Sequence, residues 1–124
     1  MKGQSIVVTI LGKDYTIEYP NVGQVYQMEA VKQLLGKGYY NSILAAPTRL
    51  AQAAADAIEI EALFSVLSPK LLDDLKVKSF GDLGLDDFRI IQEEYKAVVY
   101  PWLVEIGKLL TPDNSEKEEN SQEK

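Results

Sequence analysis

A chain of 124 residues, 46% hydrophobic and 26% charged, has the size and balance of one globular domain that buries its own core, which argues against wholesale disorder. It contains no cysteine and no histidine, which rules out disulfides, Cys-centred zinc sites, haem attachment, thiol nucleophiles and the usual general base near neutral pH. A formal net charge of −6 opposes nonspecific attachment to nucleic acid or to an anionic membrane.

The first segment, MKGQSIVVTIL, has one early lysine and a short apolar run but no small-residue cleavage site. It breaks at Gly12-Lys13-Asp14, so a strand explains it better than a signal peptide. Ser5–Leu11 and Tyr15–Tyr19 are rich in β-branched and aromatic residues, and Gly12 with Asp14 supplies turn chemistry. Alternation puts Ile6, Val8, Ile10, Tyr15, Ile17 and Tyr19 on one side. A β-hairpin over 5–19 with one buried face is expected. Two strands alone are marginal in water, so the hairpin must lie on helices or pair with another chain.

Pro20 closes the second strand, and Asn21 with Gln24 forms a capping-box pattern at the start of a helix over about 22–35. That helix runs through Val25, Met28, Val31 and Leu35 and stops at Gly36-Lys37-Gly38. Tyr39 to Leu44 reads either as a short helix packed on the core or as a binding loop, with Tyr39 and Tyr40 as contact residues. Packing is the favoured reading.

The segment 47–67 is the strongest helix signal. Six alanines fall between Ala51 and Ala62, glycine is absent, and Pro47 sits where a helix begins. On a helical wheel one face collects Leu50, Ala53, Ala57, Ile60, Phe64 and Leu67, a bulky stripe for the core. A separate face collects Ala51, Ala55, Ile58, Ala62 and Val66, mostly small, which allows another helix to approach closely. Either helices of the same chain cover both faces, or the small-residue face meets another subunit. Ala51, Ala55, Ile58 and Ala62 are accordingly candidate protein-interaction residues, with self-association among the outcomes.

Pro69 opens a short helix over 69–75, and a connector follows in which Phe80, Leu83 and Leu85 are expected to tuck inward. A last long helix over 86–110 starts at Asp86-Asp87, whose carboxylates suit a helix N-terminus. Phe88, Ile91, Tyr95, Val98, Val99, Trp102, Ile106, Leu109 and Leu110 form its apolar arc. Pro101 falls on the polar side and should bend this helix or divide it in two. Residues 111–124 contain no aliphatic or aromatic side chain and read as a disordered acidic tail.

The fold class expected is therefore α+β and mainly α: one domain, 1–110, with an N-terminal hairpin packed on a bundle of about four helices. No catalytic, metal or cofactor site is expected. The doublets Asp73-Asp74, Asp86-Asp87 and Glu93-Glu94 are adjacent in sequence, and neighbours on a helix point about 100° apart rather than converging on one reaction centre. Gly36-Lys37-Gly38 lacks the rest of a phosphate-binding loop, and no serine has a histidine to activate it. No stretch approaches the roughly 18 apolar residues of a membrane span, so a cytoplasmic protein is the default.

A short hairpin with Gly12-Lys13-Asp14-Tyr15, the helix start Pro20-Asn21-Val22-Gly23-Gln24, the alanine-rich helix ending FSVLSPKLLDDLKV and the segment EEYKAVVYPWLVEI follow one another in this order. Over about Val7 to Leu110 this order resembles the tail assembly chaperones and small tail-associated proteins of tailed bacteriophages, in particular phages that infect Bacteroidetes. The resemblance implies a non-enzymatic role in the host cytoplasm during assembly, or retention in the virion. It implies the tape-measure protein and the tail-tube subunits as partners, and no cofactor. It carries no functional residue with it. The alternative is a cytoplasmic regulatory or adaptor protein that binds a basic partner.

Overall fold

The computed structural model describes residues 4–111. Strands β1 (Ile6–Ile10) and β2 (Lys13–Ile17) are followed by helices α1 (Val22–Leu35), α2 (Tyr40–Ala45), α3 (Arg49–Leu67), α4 (Pro69–Leu75), α5 (Leu85–Glu94) and α6 (Tyr100–Leu110). A 3₁₀ turn at Phe80–Asp82 precedes α5, and a π-helical turn at Tyr95–Val99 joins α5 to α6. The architecture is the expected one, mostly helical with an N-terminal hairpin. The tail expected over 111–124 falls outside the described residues apart from Thr111.

The strands pair antiparallel, with Ile10 opposite Lys13 across the two-residue turn Leu11-Gly12. Two-residue turns that match strand twist take positive φ at one or both central residues, and here both do. Gly12 (φ 83°) takes that conformation freely, whereas Leu11 (φ 51°) has a Cβ that opposes it. The tight turn draws Lys13 into the ladder, so β2 starts two residues before Tyr15 and ends before Tyr19. The alternation holds: Val8, Ile10, Tyr15 and Ile17 are all buried in the main core. β1 packs on α5 and the π turn, and the outward Thr9 amide donates to Glu94 Oε2 at 2.9 Å, which closes that edge of the hairpin. On the other strand, the Tyr15 hydroxyl and Lys13 Nζ both donate to Asp74 Oδ2, at 2.8 and 3.1 Å, and tie β2 to α4.

α1 opens on the expected capping box. The Gln24 amide donates to Asn21 Oδ1 at 2.8 Å, and the Asn21 amide donates to Gln24 Oε1 at 3.0 Å. It closes at Gly36, where a Cβ would sit 2.9 Å from the Tyr40 backbone nitrogen, so only glycine lets the chain fold back this tightly. The ambiguous segment is the short helix α2, with Tyr40 buried and Tyr39 exposed.

α3 starts at Arg49 rather than at Pro47, because the Thr48 hydroxyl accepts from the Ala51 amide at 3.1 Å and sets the cap there. α1 and α2 pack along it, and Ala55 and Ala62 are buried. The bulky stripe divides. Its C-terminal half, Ile60 and Phe64, lies in the core, with the Phe64 ring 6.1 Å from that of Phe80. Its N-terminal half is open: Leu50 is 84% exposed and Ala53 is exposed as well. Leu85, expected to tuck inward, is likewise exposed because it opens α5 at the surface beside Leu50, while Phe80 and Leu83 do turn in.

The last helical stretch is divided by a π turn into α5 and α6, which meet just before Pro101. Pro101 has no amide to give and its ring crowds the preceding turn. The chain widens that turn instead, and the Tyr100 amide donates to the Tyr95 carbonyl across a π spacing. One extra residue in the turn rotates the whole of α6 by about 100°. Ile91, Tyr95, Val99 and Ile106 are buried, while Leu109 and Leu110, in the last turn of α6, remain exposed. Trp102 anchors the start of α6 to the hairpin, donating from Nε1 to the Gln4 carbonyl at 3.0 Å and meeting the Tyr19 ring edge-on.

Candidate functional site

Ala62 of α3 lies at the floor of one of several concavities. α1 and α6 flank α3 where Ala62 is the residue between them, and the space left open is a cleft of about 280 Å³. Val25 and Met28 of α1 form one wall and Leu103, Val104 and Leu110 of α6 the other, with Gly107 facing the same space. The lining is apolar except at one end, where Glu29, Lys32, Glu59, Tyr95 and Tyr100 gather.

Each polar group at that end has a definite state. Lys32 pairs with Glu29 at 2.8 Å and lies over the Tyr40 ring, 5.7 Å from its centre. The Tyr40 hydroxyl donates to Glu59 Oε2 at 3.0 Å, and Glu59 has no ion pair among the described residues. Burial first, and then the Glu59 carboxylate, push the Tyr40 phenol well above its usual pKa. Tyr95 comes from the π turn and is only 5% exposed as a residue; its hydroxyl makes no hydrogen bond to another described residue and is not closed off from solvent. Burial, with Glu59 and Asp56 nearby, holds that phenol protonated far into the alkaline range. Asp56 itself is met by Lys96 at 3.4 Å.

The residues singled out from sequence are distributed differently from the surface they suggested. Ala55 and Ala62 are inside the chain, Ala51 and Ile58 are half-buried, and α1 and α2 provide the cover. Tyr40 is buried on Glu59 rather than presented to a partner, and Tyr39, 65% exposed, lies outside the cleft. Of the six, Ala62 alone borders the cleft. Gly107, Tyr95, Tyr100 and Met28 were not singled out, although a glycine inside an otherwise apolar helix was a readable signal. Tyr95 could not be told from a core residue without the π turn.

The acidic doublets do not converge. Asp74 serves Lys13 and Tyr15, Glu93 pairs with Arg89 at 3.2 Å, and Glu94 caps Thr9. No group of three or more metal-ligating side chains occurs among the described residues, and no helix there is long and apolar enough to cross a membrane. Comparison with family models, with curated proteins and with solved structures finds no match for the chain.

Proposed function

We propose that this protein is a non-enzymatic component of bacteriophage tail assembly, a chaperone or small tail-associated protein that works through protein–protein contacts. The order of sequence segments from the hairpin to Leu110 supports the family side of this reading. The observation that carries the contact side is the apolar cleft between α1, α3 and α6, open to a partner and furnished with few polar groups at one end. In this role the protein keeps the tape-measure protein or the tail-tube subunits soluble in the host cytoplasm until the tube polymerises. Co-expression with the tape-measure and tube proteins of the same phage, followed by pull-down, should recover a complex. Clean absence of binding to both would overturn the proposal.

A second reading, an adaptor for a basic partner, draws on the net charge of −6 and on Glu59, which has no ion pair among the described residues. It predicts that deleting 111–124 abolishes capture of a basic protein, and unchanged affinity would count against it.

A further inference from the structure

We infer that the cleft receives one amphipathic helix of a partner protein, its apolar stripe lying over Ala62 and Gly107 and a lysine or arginine reaching Glu59. This inference rests on the reading of the chain as a protein-binding module and specifies the partner that module takes.

The shape is that of a groove between two helices with a third as its floor. The α6 wall runs from Tyr100 to Leu110, about 15 Å at 1.5 Å per residue, enough for two to three turns of a bound helix. Helices bound in such grooves use apolar anchors at i, i+3 or i+4 and i+7. Ala62 and Gly107 supply the low ground such anchors need, between Met28 on one side and Leu103 on the other.

Gly107 is the first independent observation. It lies inside α6 with ordinary helical backbone, and a Cβ built on it meets nothing within 4 Å. Glycine in a helix interior is about 1 kcal/mol less favourable than alanine. No neighbour among the described residues and no backbone angle requires it, and what its missing Cβ provides is close approach from the cleft side.

The polar end is the second. Tyr95 borders the cleft with a hydroxyl that reaches solvent, while Glu59 accepts from Tyr40 and has no ion pair among the described residues. Glu29 and Lys32 neutralise each other, as do Asp56 and Lys96, so the charge left over at this end is the Glu59 carboxylate. A lysine ammonium or arginine guanidinium from the partner donates to Glu59 and to the Tyr95 oxygen together. The overall charge of −6 favours the same basic partner during approach.

The test uses the full chain and a randomised library of helical peptides, selected on the wild-type protein. Enriched sequences should show an apolar i, i+3/i+4, i+7 stripe and one basic residue near an end. Gly107→Leu fills the groove while its Cβ enters open space, so thermal unfolding should match or exceed wild type and selected peptides should lose about tenfold or more in affinity. Glu59→Gln should remove the preference for basic over neutral peptides. Ala53→Leu, on the exposed side of α3, should leave binding unchanged. Failure to enrich any helix, equal binding by a folded Gly107→Leu protein, or a basic preference that survives Glu59→Gln would each overturn the inference. If peptides bind as described but tail proteins are not captured, the assembly role falls and the groove stands. If tail proteins are captured equally by Gly107→Leu, the role stands and the groove falls.

Discussion

Which side of α3 is internal can be decided by adding the same side-chain mass to two alanines. Ala55 is 3% exposed and borders none of the clefts around α3, whereas Ala53 is exposed and lies beside Leu50. Substitution by leucine adds an isopropyl group to each Cβ. At Ala55 that group has to displace packed atoms of the fold, and overpacking of this kind destabilises by about 1–3 kcal/mol. At Ala53 it enters solvent on a residue of nearly equal helix propensity, so the change should stay within about 0.5 kcal/mol. For a domain of this size a difference of about 2 kcal/mol corresponds to roughly 8 °C or somewhat more between the two melting temperatures. Urea unfolding followed by far-UV circular dichroism and by Trp102 fluorescence gives both stabilities, since the indole packs between α6 and the hairpin. Ala62 is the poorer choice, because its position on the cleft gives an added side chain somewhere to go. Equal losses at the two sites, or a larger loss at Ala53, would refute the assignment of the small-residue face to the interior.

Leu11→Asn should stabilise the hairpin by about 1 kcal/mol, read as a raised urea midpoint, because asparagine tolerates the left-handed turn that Leu11 occupies at φ 51°. Gly36→Ala should destabilise by about 1–3 kcal/mol in the same assay, since its Cβ would meet the Tyr40 backbone nitrogen at 2.9 Å. Burial and the Asp74 carboxylate push the Tyr15 phenol up to about 12, and burial raises Tyr40 and Tyr95 further. A raised pKa stabilises the fold fully below the unfolded value near about 10 and loses that stability as pH rises through the folded value. Stability should thus fall from about pH 10 upward, with phenolate absorbance of these tyrosines appearing only as the protein unfolds. Asp74 works in the opposite direction: the Tyr15 hydroxyl first, and then Lys13, hold its carboxyl below the usual range. Its contribution is present above about pH 4 and lost as pH falls through the folded value, and Tyr15→Phe should move the carboxyl resonance of Asp74 back toward normal in an NMR titration.

The elements written in local chemistry were legible. Asn21 and Gln24 announce the start of α1, Pro69 the start of α4, and alternation from Val8 to Ile17 the buried side of the hairpin; each depends on residues a few positions apart. The wheel of α3 could not decide which neighbour covers which face. Ala55 and Leu50 are both apolar helix residues, and only the return of α1 and α2 onto α3 makes the first internal and leaves the second at the surface. The arc of the last helix failed for a different reason. A wheel assumes uniform spacing, which the π turn before Pro101 breaks, and it does not show where along the helix the core ends; Leu109 and Leu110 lie exposed in the last turn of α6. The cleft is assembled from α1, α3 and α6, far apart in sequence, and its one local trace was Gly107.

The central claim is that partners are held in the cleft between α1, α3 and α6. Hydrogen exchange on the protein bound to a partner, the proposed tail proteins or a selected helical peptide, compared with the free protein, tests it most directly. Added protection should concentrate in Met28–Lys32 of α1 and Leu103–Leu110 of α6. Protection confined to the exposed Leu50 and Leu85 surface, or to the hairpin, with α1 and α6 unchanged, would contradict that claim.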